Sequence, residues 1–193
     1  LHAGDQLGVE PAGDIASLRS ERRHLETTVL PANQEVVLDA VSGNTMEISA
    51  EIDTRGAPMV ELNVLRSPDR EEFTRIAFYR DRGYSRGSRG GGAGRESLIT
   101  LDSSYSSMLA DVQSRGPETA PVALRDDEPL RLRVFIDRSV VEVFVNGKQC
   151  VAIRVYPGRE DSLGVSLYAR GRDATLISLD AWHMTGVTVG GPH

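Results

Sequence analysis

The sequence predicts an all-β protein: a single antiparallel two-sheet β-sandwich carrying a short N-terminal linker helix. Three observations predict it. Apolar residues alternate with polar ones at period 2 in many short segments, the pattern of half-buried strands. Those segments are separated at near-regular spacing by Gly-, Asn- and Pro-containing breaks, which favours a sandwich or barrel over βαβ units. One Asn-Gly pair lies between two strand-like runs, where it supplies the positive φ angles of a tight hairpin. The chain has 193 residues, 39% of them hydrophobic and 26% charged, which suits one soluble globular domain with a sizeable core.

Residues 1–12 contain Gly4, Gly8 and Pro11 without periodicity and read as a linker. Over 13–25, Ile15, Leu18 and Leu25 fall at helical spacing, and Asp14 places a negative charge at the first turn, so one short helix is expected there. Its stretch 21–24 (ERRH) reads as a solvated face. Linker and helix occupy 1–28, the sandwich 29–186 and a glycine-rich tail 187–193.

From Thr27 the pattern turns to strands. Val29 and the segments 35–38, 45–52 (TMEISAEI) and 60–65 (VELNVL) alternate, with breaks at Ser42-Gly43-Asn44 and at 55–58 (RGAP). Two further strands are 73–79 (FTRIAFY) and 97–101 (SLITL). Between them runs 80–95 (RDRGYSRGSRGGGAGR), whose composition cannot pack a core. Arg-Gly segments with an aromatic also occur in single-stranded RNA binders. Here the segment is isolated, lies between two strands and belongs to an acidic chain, so it reads as a surface loop. The segment 110–129, with Gly116, Pro117, Pro121 and Asp126-Asp127-Glu128, reads as a second exposed crossing.

The most regular stretch is 130–156 (LRLRVFIDRSVVEVFVNGKQCVAIRVY). Leu130, Leu132, Val134 and Ile136 share one parity, and Arg131, Arg133 and Asp137 the other. The alternation resumes at Val141, Val143 and Val145, turns at Asn146-Gly147, and continues through Val151, Ile153 and Val155. This predicts a three-strand antiparallel meander. A strand at 162–169 and a long closing strand at 174–184 complete the sandwich, the last strand returning beside an early one.

The net charge of −6 argues against nucleic acid or an anionic membrane as partner, since both reward a basic surface. No apolar run is long enough to span a bilayer and the first residues lack a signal-peptide pattern. The chain starts without Met and is expected to be part of a longer polypeptide, which leaves its compartment unread. Cys150 is the sole cysteine, so internal disulfides are excluded, and its β-branched neighbours mark it as an inert buried thiol. His2, His24, His183 and His193 form no metal-ligand spacing, and Gly90-Gly91-Gly92 lacks the Lys-Ser/Thr of a phosphate loop. No cofactor or metal is expected.

The run FIDRSVVEVFVNG at 135–147, with RVYP at 154–157 and SLYARGRDATLISLDAWHM at 166–184, resembles the C-terminal β-sandwich of glycoside hydrolase family 32. That family comprises invertases, levanases, inulinases and related β-fructosidases. The matching positions are Asp137, Arg138, Ser139, Glu142, Phe144, Tyr168 and Leu179-Asp180-Ala181-Trp182; PAGDIASLR at 11–19, FTRIAFYRD at 73–81 and LDSSYSS at 101–107 are weaker matches. The resemblance implies a concanavalin- or lectin-like jelly roll behind a five-bladed catalytic propeller, with helix and linker between them. It implies a module that covers and stiffens the propeller of an enzyme hydrolysing sucrose or fructans, and that can mediate homodimerisation. The family's catalytic carboxylates sit in motifs resembling WMNDPNG, RDP and EC; none occurs here, so no catalytic residue is carried over.

Asp137 is expected to bond turn amides, and Glu142 and Phe144, on the face opposite the valines, to make an interdomain contact or a cross-strand pair with Arg131 or Arg133. Tyr84, Tyr105, Tyr168 and Trp182 are candidates for stacking on sugar rings, and equally for packing. A lectin-like fructan-binding module and a pure interaction or oligomerisation domain are therefore the competing readings.

Overall fold

The computed structural model describes residues 8–54, 56–83, 96–113 and 115–186. Two antiparallel sheets face each other across one core. The first holds β1 (Arg19–Leu25), β2 (Thr28–Leu30), β4 (Thr45–Asp53), β9 (Leu130–Asp137), β10 (Val140–Val145), β11 (Gln149–Arg154) and β13 (Ala174–Met184). Its strand order is β1-β13-β4-β9-β10-β11, with β2 also pairing to β13. The second holds β3 (Glu35–Ser42), β5 (Met59–Arg66), β6 (Thr74–Tyr79), β7 (Ser97–Asp102), β8 (Glu118–Val122) and β12 (Gly164–Arg170), in the order β3-β12-β5-β6-β7-β8.

The alternation that marks the strands is also what fills the core. Ile48, Ile52, Leu130, Val134, Val141 and Val143 point inward from the first sheet and meet Leu62, Ile76, Phe78, Ile99 and Leu101 from the second, all buried. The meander is present as expected, with Val141 opposite Ile136 on one side and Ile153 on the other. β13 closes the sandwich between β1 and β4, so the last strand does return beside early ones.

The hairpin between β10 and β11 takes the expected turn. Asn146 has φ 51° and Gly147 φ 63°, and Lys148 N–H donates to Val145 O at 2.9 Å. The ladder resumes one residue later, at Val145 opposite Gln149. A Cβ on Gly147 would meet only Glu10 Oε1, at 3.7 Å, so an alanine there would suffer from the left-handed backbone and not from a clash. Gly147→Ala is expected to lower stability by about 1 kcal/mol, read as a shifted urea midpoint with unchanged slope; an unshifted midpoint would contradict this account of the turn.

Two expectations are corrected. The helix over 13–25 is one 3₁₀ turn, Ile15–Leu18, after which Arg19 becomes extended and β1 begins. Asp14 does cap the turn, accepting from Ser17 N–H at 3.3 Å. The residues read as its solvated face belong to β1, because pairing with β13 satisfies more backbone groups than a further turn would. The crossing at 110–129 contains β8, in which Pro121 sits opposite Leu98. Proline is tolerated there because β8 is an edge strand. Most of the expected loop at 80–95, from residue 84 onward, lies outside the described residues.

Candidate functional site

The outer face of the first sheet is built by the polar parity of its strands. One row crosses β13, β4, β9 and β10 as Trp182, Glu47, Phe135 and Glu142; the neighbouring row reads Asp180, Ser49, Arg133 and Phe144. Glu47 points away from the core, yet its side chain has no exposed surface. Arg19 covers it from β1, donating from Nε and Nη2 at 2.8 and 2.7 Å, and Arg133 donates from Nε at 2.6 Å. Burial pushes the Glu47 carboxyl up, but the hydrogen bonds and charges of the two guanidinium groups outweigh it and hold the group below the usual carboxylate range. The same contact raises the pKa of Arg19.

Aromatic rings finish the layer. The Arg19 guanidinium lies 4.1 Å from the centre of the Trp182 ring and that of Arg133 5.1 Å from Phe135, distances at which cation and ring attract. Phe135 meets Phe144 edge to face at 5.9 Å.

Beside this layer opens a cleft of about 450 Å³. Pro11, Ile15 and Leu18 of the N-terminal segment form one wall, Phe135, Phe144 and Met184 supply apolar floor, and Asp137 and Glu142 bring carboxylates. Val9 N–H donates to Gly147 O at 2.9 Å and Thr185 N–H to Leu18 O at 2.8 Å. The entering segment is thus fastened to the meander and to the end of β13.

The motif residues Asp137, Glu142 and Phe144 therefore line one cleft, while Arg138 and Ser139 form the turn behind it. Arg138 takes φ 53° and its N–H donates to Asn44 O at 2.6 Å; Ser139 O accepts from Val155 N–H at 2.9 Å. The turn is held by the backbone, and among the described residues Asp137 bonds no turn amide, contrary to expectation. Glu142 likewise does not pair with Arg131 or Arg133. Register places it beside Phe135 and Ala152, whereas Arg131 pairs with Glu51 at 3.0 Å and Arg133 with Glu47, both on β4. Both cleft carboxylates are exposed.

The aromatic candidates do not converge. Trp182 belongs to the layer just described. Tyr168 lies on the outer face of the second sheet, its hydroxyl donating to Asn33 O at 2.8 Å and Arg170 resting 4.2 Å from its ring centre. Tyr105, in the loop after β7, stacks on Phe73 at 5.2 Å. Tyr84 is outside the described residues. Burial, and secondarily the charge of Glu142, raises the Cys150 thiol pKa, which makes thiolate chemistry less favourable. Among the described residues no group of three His, Cys, Asp or Glu is placed to hold a metal, and no helix is long and apolar enough to cross a membrane.

Sequence reasoning missed Glu47, Arg19 and Phe135. Glu47 occupies a polar position of an alternating strand, which reads as solvated; only the register shows that arginines from two other strands close over it.

A family model described as "Glycosyl hydrolases family 32 C terminal" matches residues 14–183. A levanase of Bacillus subtilis (strain 168) is 30% identical over 173 residues, which is 88% of this chain and 23% of the levanase. A raffinose invertase of Escherichia coli is 49% identical over 65 residues, 33% of this chain and 13% of the invertase. Among solved structures, fructan 1-exohydrolase IIa from Cichorium intybus superposes with a TM-score of 0.79 at 20% identity, covering 94% of this chain and 38% of that one; this likeness speaks for the fold alone. The chain spans a quarter or less of the levanase and invertase it matches.

Proposed function

The chain belongs to the C-terminal domain family of the family 32 glycosyl hydrolases, and from that premise we propose that it is the non-catalytic β-sandwich module of a β-fructosidase, covering and stiffening the catalytic domain of the same polypeptide. The observation that carries this reading is the cleft on the first sheet. Motif residues from the meander and apolar residues of the N-terminal segment build it together. In a family whose sandwich is the C-terminal part, that segment is the direction from which the catalytic domain arrives. An open apolar floor rimmed by two carboxylates suits a protein surface bearing hydrogen-bond donors. The missing WMNDPNG-, RDP- and EC-like motifs support a module without its own hydrolytic residues.

The 193-residue chain, incubated with sucrose, inulin and levan, is expected to release no reducing sugar; turnover that a Glu142→Gln change abolishes would overturn the proposal. In a β-fructosidase carrying this module, Phe144→Ala is expected to leave kcat and KM unchanged while the enzyme inactivates faster on heating. Homodimerisation would use the same surface. A monomer–dimer equilibrium of the isolated chain that Phe144→Ala abolishes would favour that use instead.

A further inference from the structure

A second cleft of about 450 Å³ lies where the edge of the first sheet meets the loop between β7 and β8. Asp111, Gln113, Arg115 and Glu118 line it from the loop and the start of β8, Arg154 and Tyr156 from the end of the meander, and the buried Ser106 from beneath. Elsewhere the sheet faces cross-pair their charges, as Glu35 does with Arg66 and Glu61 with Arg170. Among the described residues none of the six rim side chains forms a side-chain hydrogen bond or ion pair. Their polar groups are left to solvent or a ligand. Tyr156 is 47% exposed, and among the described residues its ring stacks on no aromatic or cation.

The walls are held in place. Glu72, 0% exposed, accepts from Met108 N–H at 2.6 Å on one side of the cleft and from Gly158 N–H, Arg159 N–H and Ser162 Oγ at 2.9, 3.1 and 2.6 Å on the other. One carboxylate thus ties together the two loops that carry the rim residues, and a site held this way loses little entropy on binding.

Two carboxylates and two guanidinium groups give the rim no net charge, so it offers no field to attract an ion. They do offer acceptors and donors around one cleft, with a carboxamide and a half-exposed phenol ring among them. Vicinal hydroxyls use the polar groups in pairs, and the apolar face of a sugar ring covers the phenol. The volume falls within the range of small-molecule sites. An added peptide strand fits poorly, because Pro121 removes a donor from the β8 edge. We propose that this cleft is a binding subsite for a neutral oligosaccharide, with Tyr156 as the stacking surface and Asp111, Arg115, Glu118 and Arg154 as hydroxyl partners. A preference for fructans within that class rests on the function proposed above.

The test is an amide-resolved NMR titration of the 193-residue chain with 1-kestose and, separately, maltotriose, repeated on Tyr156→Ala and Arg154→Ala. Both side chains are exposed and unbonded, so the variants are expected to keep the fold. The expected result is saturable shifts confined to residues 103–118 and 150–159, with affinity reduced about tenfold or more in Tyr156→Ala. Silence with both sugars, shifts centred on Trp182 or Tyr168, or affinity untouched by either substitution would overturn the subsite. Equal titration by both sugars would support the subsite and refute only the fructan preference, leaving the covering role to its own tests.

Discussion

Glu72→Ala is expected to lower the unfolding free energy by about 3–5 kcal/mol, although Glu72 belongs neither to the hydrophobic core cluster nor to the motif residues. Its carboxylate accepts four hydrogen bonds, three from backbone N–H groups of two different loops. Removing it orphans those donors in a buried setting and unties the loops from each other. Burial pushes this carboxyl up, but Ser162 and the backbone donors outweigh that and hold it below its ordinary value. As pH falls the unfolded chain takes up the proton first, at about 4.3. The contribution is therefore complete above the unfolded value and is lost as pH falls through the lower folded value. Glu35, Glu47, Glu128 and Asp180 are shifted in the same direction, so the wild type is expected to lose stability steeply in acid. Urea midpoints at neutral and acid pH check both statements: the gap between wild type and Glu72→Gln should be wide at neutral pH and narrow in acid. Equal midpoints at neutral pH would refute the clamp.

Glu47→Ala should cost about 2–4 kcal/mol, through a different route. It leaves Arg19 and Arg133 facing each other without the carboxylate between them, and takes away the anchor that sets Arg19 over Trp182. The arginine side chains are 27% and 33% exposed and can turn toward water, which keeps the cost below that of a fully enclosed charge. Because Glu47 itself is buried, most of the loss should persist in high salt. Urea unfolding with and without added sodium chloride measures it; a loss that vanished with salt would mean the triad behaves as a surface ion pair.

The strands whose two faces differ in polarity were legible in the sequence, and the meander most of all, because its alternation and its Asn-Gly turn are local. β1 was not. Its Arg-rich stretch carries no strand signature of its own, and it becomes a strand because β13 offers a free edge. The capping signal at Asp14 was real, but a cap starts a helix without stating how long it runs. β8 was hidden by Pro121, which is a breaker everywhere except at an edge. The candidate site divides the same way. Asp137, Glu142 and Phe144 stood out by family resemblance, and they do share a cleft. Their supposed partners did not, because which arginine meets which carboxylate depends on the register between β4 and β9, and residues 47 and 133 are far apart in the chain. Tyr156 escaped notice because it closes a strand-like run, and only the fold shows that it lines a cleft with the loop between β7 and β8.

The position of β13 bears on how the chain comes to be folded. Residues 174–184 are made after every other described strand of the sandwich, yet they occupy the interior of the first sheet and pair with β1, β2 and β4. Until they emerge, β4 has an unpaired edge and β1 has no partner strand among the described residues. The meander and the β5-β6-β7 hairpins can form before β13 is made, whereas the sandwich can close only after it, and contacts of such large sequence separation place that closure among slow folding events, on the order of milliseconds to seconds. A message truncated before residue 174 would yield a protein with an open sheet edge, exposed to aggregation and degradation.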